Sequence, residues 1–214
     1  MNIKRITRIA ATGLMCLTSA MAMAALPAEV LDNAYQQYLY ASQSDGDGEQ
    51  GLDSIMQLSE QYPDEPVLLM LQGWMETIVA RDALMPWSKM KWLDNGLAHI
   101  DKALSLMVPD TSEALLAGLP VDLQLKAQSG IIFVNVPDFA HRLQQGGELL
   151  NEVLNDARLQ NIPALAYQHI QFYAAEAAAK EGNSKRAELL YRQVISSGDQ
   201  TSWAQNARKA LDQL

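Results

Sequence analysis

Val67-Leu68-Leu69-Met70-Leu71-Gln72-Gly73-Trp74-Met75, continuing to Ile78 and Val79, is apolar on nearly every face. A helix of that kind needs neighbours on several sides, so it predicts the centre of an all-α core. Downstream, Leu97, Ile100, Leu104 and Met107 recur at steps of three and four and lay one apolar stripe back against it. The two segments read as a helical hairpin. Between them lies Ala80-Arg81-Asp82-Ala83-Leu84-Met85-Pro86-Trp87-Ser88-Lys89-Met90-Lys91-Trp92, too long and too aromatic for a minimal connection, and an irregular insertion is expected there.

Working outward, Pro27 and Glu29 lead into a first helix, Val30 to Ser42, with Leu31, Ala34, Tyr35, Tyr38 and Leu39 on one side. Asp45-Gly46-Asp47-Gly48 ends it. That run lacks the later oxygen ligands and closing Glu of a calcium loop, so a solvated turn is expected. A second helix, Glu49 to Gln61, stops at Tyr62-Pro63, and Pro66 opens the central one, where a missing N–H costs little. Beyond the hairpin, a short helix is expected from Thr111 to Leu119, and a buried one from Val121 to about Val136. Gly130 to Val136 is the one run with strand propensity, but it has no partner run and is assigned to the end of that helix. Pro137-Asp138 resets the chain, and Phe139 to Asn155 is the next helix, with Gly146-Gly147 marking a bend or close packing. Pro163 starts the last hairpin. Thr201 caps a final helix in which Trp203, Ala207 and Leu211 close the end of the stack.

A period runs through these elements. Gly51, Ile55, Leu58 and Pro63, followed by Gly73, return as Gly96, Ile100, Ala103 and Pro109, and again as Ala175, Gly182-Asn183, Ala187, Tyr191 and Val194. This resembles the tetratricopeptide repeat, a helix-turn-helix of roughly 34 residues. Its small residues let two helix backbones approach while the bulky ones fill the groove beside them. With Ala80 to Trp92 and Pro137-Asp138-Phe139-Ala140-His141-Arg142, the mature chain is similar to exported tetratricopeptide-repeat-like proteins of Gram-negative bacteria. The resemblance implies a short α-solenoid in the periplasm, serving an envelope or transport system, and it implies no reaction.

Residues 1–24 read as a secretory signal, with Lys4, Arg5 and Arg8 before an apolar stretch from Ile9 to Met23 that is short for a membrane span. Ala22-Met23-Ala24 gives a cleavage pattern, leaving residues 25–214 as one helical-repeat domain; an uncleaved anchor is the alternative. The lone cysteine, Cys16, falls inside the leader, which excludes disulfides and thiolate chemistry from the mature chain. Its flank lacks the pattern of a lipid-anchored leader. The full chain carries −9, and losing the three leader cations takes it to −12. Such a chain is a poor ligand for nucleic acid or anionic lipid, so membrane contact is expected only through a partner.

Reaction chemistry finds no motif. His99, His141 and His169 lie on separate segments without the i, i+4 pairing of a zinc site, and neither a glycine elbow nor a phosphate loop is present. No metal, cofactor or catalytic residue is assigned. Binding has more support. Trp74, Trp87 and Trp92, with Met70, Met75, Met85 and Met90, gather large polarizable side chains round one hairpin, as in interface anchors and equally as in cores. Arg81, Lys89, Lys91, His141 and Arg142 offer a positive lining for a cleft, unless they pair within the fold. Arg81, Trp87, Lys89, Lys91, Trp92, His141 and Arg142 are therefore the expected binding residues. The chain is expected to bind or scaffold a protein or peptide of the envelope, or else to carry a small apolar or anionic ligand in a Trp/Met-lined pocket.

Overall fold

The computed structural model describes residues 26–43, 47–63, 65–109 and 114–214. The leader expected at residues 1–24, residues 45 and 46 of the expected turn, and residues 111–113 at the start of the expected short helix lie outside them.

The described chain is all-helical apart from one two-residue strand pair. In order it forms α1 (Ala28–Ser42), α2 (Gly48–Gln61), α3 (Pro66–Asp82), α4 (Pro86–Leu106), β1 (Leu115–Leu116), β2 (Leu119–Pro120) and α5 (Val121–Asn135). A 3-10 turn at Asp138–Ala140 then leads into α6 (Leu143–Leu154), followed by α7 (Gln168–Lys180), α8 (Ser184–Ser197) and α9 (Ser202–Leu211). The dominant packings are α3 with α4, α5 with α6 and α7 with α8, each an antiparallel pair. α2 leans on α3, α6 on α7 and α9 on α8, so the pairs follow one another along the chain. Between α4 and α5 that succession breaks. α5 packs on α3 rather than on α4, and the β1–β2 ribbon occupies the connection.

Local chemistry sets the boundaries. Asp47 accepts from the Gln50 N–H at 3.0 Å and caps α2, Asn183 caps α8 by accepting from Arg186 N–H, and Thr201 accepts from Ala204 N–H to start α9. Pro66 stands in the first turn of α3, and Pro86 stands in the first turn of α4.

That second proline corrects the expected insertion. α3 continues through Asp82 and α4 begins at Pro86, leaving only Ala83, Leu84 and Met85 between them. The Lys, Met and Trp residues read as irregular extend the return helix, because none of them opposes helix once a proline has set its first turn. Three smaller expectations also change. The segment expected as a helix ending at Leu119 contains the β1–β2 ribbon, turning through Ala117 and Gly118 with φ of 52° and 85°. Two successive positive φ values are the signature of a tight primed hairpin turn. Phe139 to Asn155 is not one helix, since His141 adopts a left-handed conformation (φ 53°, ψ 40°) between the 3-10 turn and α6. Pro163 opens a 3-10 turn, Ala164–Tyr167, before α7 begins.

Two apolar cores result. The first gathers Tyr35, Tyr38, Leu52, Ile55, Leu71, Trp74, Met75 and Ile100 from α1 to α4; the second gathers Leu150, Ile170, Ala174, Ala187, Tyr191 and Val194 from α6 to α8. α5 belongs to both, giving Leu125, Ile132 and Phe133 to the first and Leu123, Ala127, Ile131 and Val134 to the second. Its link to α1 and α3 adds three polar contacts to that packing. Gln124 Nε2 donates to the Tyr35 hydroxyl at 2.6 Å, Gln128 Nε2 to the Tyr38 hydroxyl at 2.7 Å, and Trp74 Nε1 to Ser129 Oγ at 3.2 Å. Glycines close two of the hairpins: Gly73 opposes Gly96 across α3–α4, and Gly130 opposes Gly146 across α5–α6. Gly146-Gly147 therefore marks close packing inside an unbroken α6.

Candidate functional site

The expected binding residues fall in two places. Arg142 pairs with Asp101, far along α4 from Trp87, so the two groups are separated by roughly 21 Å at 1.5 Å per helical residue. No single cleft holds them all.

Arg81, Trp87, Lys89, Lys91 and Trp92 surround the tip of the α3–α4 hairpin. Arg81 is spent on structure. Its Nε and Nη2 donate to both oxygens of Asp82 at 2.6 and 2.8 Å, while Nη1 and Nη2 reach the carbonyls of Ser42 and Ala41 at 2.9 and 3.3 Å. These bonds tie the end of α1 to the end of α3. They also hold the Asp82 carboxyl below its ordinary range and push the Arg81 guanidinium up. Lys89 Nζ donates to the Arg81 carbonyl at 2.8 Å, satisfying an orphan acceptor at the end of α3, and Lys91 sits 5.6 Å from the centre of the Trp92 ring. Trp92 is half-buried against the first core, whereas Trp87 is 72% exposed. The Trp/Met set accordingly divides. Trp74, Met70 and Met75 are sealed in the first core, and Met85, Trp87 and Met90 lie outside it. They do not gather round a pocket.

The second place is an open cleft of about 630 Å³ where the end of α5, the 3-10 turn, the start of α6 and the end of α7 meet. Val134, Val136 and Leu143 form its apolar floor, and Asp138, His141, Arg142, Gln144, Lys180 and Glu181 its polar walls. Sequence spacing explains four of the six polar residues of this wall. Asp138 to Gln144 are near neighbours in the chain, and the left-handed backbone at His141 turns that segment from the 3-10 turn into α6. Lys180 and Glu181 arrive from α7 through tertiary packing alone, so no local signal marks them.

Charge in the cleft differs from the positive lining expected. Arg142 makes a bidentate pair with Asp101 (2.6 and 3.0 Å), donates to Gln145 Oε1 at 2.6 Å and stacks over Phe133 at 5.2 Å. Lys180 Nζ donates to the Val134 carbonyl at 2.7 Å, at the end of α5. Both cations are engaged within the fold. The Asp138 and Glu181 carboxylates and the His141 imidazole, by contrast, have no hydrogen-bond or ion-pair partner among the described residues. The groups left to meet a ligand are thus mainly acidic.

Two further polar sites escaped sequence reasoning. Glu76, 3% exposed, meets His99 Nδ1 at 2.6 Å and accepts from Gln72 Nε2 at 3.2 Å. Tyr191 donates to Glu176, and burial together with that carboxylate pushes its hydroxyl pKa up. Only the Gln72–Glu76 spacing was visible in sequence, and it does not distinguish a buried carboxylate from an exposed one. The three histidines stay apart: His99 on Glu76, His141 in the cleft, and His169 beside Trp203 at 6.3 Å. Among the described residues no group of three His, Cys, Asp or Glu side chains is placed to hold a metal ion, and no helix is long and apolar enough to cross a membrane. No protein-family model, curated protein or solved structure matches this chain.

Proposed function

We propose that this chain is a periplasmic, tetratricopeptide-like binding protein that scaffolds an envelope partner by holding a basic segment of it in the α5–α6–α7 cleft. One observation carries the reading: the cleft's cations are engaged in the fold while Asp138 and Glu181 are free. An apolar floor beneath two carboxylates suits a lysine or arginine whose aliphatic stem lies on Val134 and Leu143 while its head meets the rim. Phe139, 54% exposed in the adjoining 3-10 turn, adds an aromatic face that favours cations. The chain's overall charge of −9 steers the same class of partner toward it. Openness of the cleft fits a chain segment better than a small enclosed ligand.

The test is capture from an envelope extract by the mature chain, compared with Asp138→Asn/Glu181→Gln. A partner retained by wild type, released by moderate salt and lost from the folded double variant is the expected result. Undiminished capture by the variant would overturn the reading.

A further inference from the structure

The geometry of the α3–α4 tip points to a second surface, independent of the cleft, and we propose that it seats in the headgroup and upper acyl zone of an anionic phospholipid bilayer. Leu84, Met85, Trp87 and Met90 are 89%, 49%, 72% and 42% exposed. Scattered singly, exposed apolar side chains need no explanation. Here four large ones are concentrated in seven residues at the turn between two long helices. They are also held out. Arg81 fixes the end of α3 to the end of α1 through two bonds, and Lys89 fixes the start of α4 to Arg81 through a third, so the tip is anchored by three of the chain's own hydrogen bonds.

Chemistry selects the occupant. Lys89 and Lys91 lie beside these apolar residues in a chain whose net charge is −9, while Arg81 and Asp82, the one carboxylate of the same segment, neutralise each other. Asp47 and Glu49 begin α2 beside Ile78, about one helical turn from the tip, and Asp47 is engaged in capping α2. A convex apolar apex with a cationic collar complements an anionic lipid surface: Leu84 and the Trp87 ring enter below the headgroups while the lysine heads reach phosphate. With no membrane-crossing helix among the described residues, this contact is peripheral. It departs from the expectation that the chain meets a membrane only through a partner.

The test is co-sedimentation of the chain from Ala25 onward, which contains every residue of both cores, with vesicles of phosphatidylethanolamine and phosphatidylglycerol or of phosphatidylcholine alone. Starting at Ala25 keeps the apolar leader from binding vesicles itself. Wild type is expected to sediment with the anionic vesicles, Leu84→Ser/Trp87→Ser to bind at least roughly tenfold more weakly, and Lys91→Glu, which spares the Lys89 bond to the Arg81 carbonyl, to lose only the anionic preference. Circular dichroism checks that each variant folds. Absence of wild-type binding to anionic vesicles, or full binding by Leu84→Ser/Trp87→Ser, overturns the proposal. If vesicles are ignored and the same variant instead loses an envelope protein, the tip is a protein-docking surface and the lipid assignment is wrong. The cleft variant Asp138→Asn/Glu181→Gln leaves the tip intact, so its outcome is read separately.

Discussion

Gly73 and Gly96 face each other so closely that a methyl group on either would lie 2.7 Å from the other's carbonyl oxygen. Backbone opposes backbone, so room for a methyl group comes only by moving the two helices apart. Gly96→Ala is expected to destabilise the fold by about 2–3 kcal/mol, as overpacking does elsewhere, read as a lower urea midpoint. An unchanged midpoint would mean that α3 and α4 can move apart.

Adjacent glycines in α6 should respond with opposite sign. A Cβ on Gly146 would meet the Gly130 carbonyl oxygen at 2.8 Å, whereas on Gly147 its nearest contact is the end of the Glu181 side chain at 3.3 Å. Gly146→Ala is expected to cost about 2 kcal/mol, while Gly147→Ala gains up to about 1 kcal/mol of helix propensity. Equal effects at the two positions would refute the interhelix geometry.

Tryptophans separate by burial. Trp74→Ala should cost about 3–5 kcal/mol for the emptied core, and Trp87→Ala less than about 0.5 kcal/mol. Trp92 packs partly on the first core, so its substitution falls between and is not a clean probe of binding. Chemical denaturation of the three variants checks the order.

His99→Ala strands the Glu76 carboxylate with Gln72 as its remaining side-chain donor. A loss of about 1–3 kcal/mol is expected, since removing the half-buried His99 leaves the buried Glu76 side chain one partner short. Glu76→Gln/His99→Ala should recover much of it. A double variant no better than the single would show that the pair is not the source.

Acid should weaken the C-terminal core through His169. Burial holds its imidazole below the ordinary value of 6.5, so the folded state favours the neutral ring. The unfolded chain then binds the proton first. Stability is fully present above about pH 6.5 and is lost as pH falls through the lowered folded value. In His169→Phe the decline below pH 6.5 should be shallower than in wild type, measured by thermal midpoints. Parallel curves would assign the acid sensitivity to other groups.

Sequence periodicity reaches the helices more readily than the sites. The apolar faces of α3 and α5, the caps at Thr201 and Asn183 and the glycines at closing helix pairs all leave local marks. Pro86 leaves one too, identical in kind to Pro66, but the Trp and Lys beside it suit an irregular segment as well as a helix. The ribbon at Leu115 to Pro120 was harder to see, because its turn places Ala117 at a positive φ that alanine seldom adopts. The cleft was half legible. His141 and Arg142 sit in a short polar run, yet whether a cation is free or spent depends on Asp101 and on the Val134 carbonyl, distant in sequence and close only after folding.

α5 carries a consequence for how the chain comes into being. In chain order, the first two hairpins are complete before Gln124, Gln128 and Ser129 join them. Until then the Tyr35 and Tyr38 hydroxyls lack their amide donors and the Trp74 indole N–H lacks its acceptor. The nascent first half therefore presents a wet, unfinished wall. Residues 121–135 finish it and at the same moment lay the foundation for everything that follows, so a chain that stops short of them keeps that wall open and has no second core.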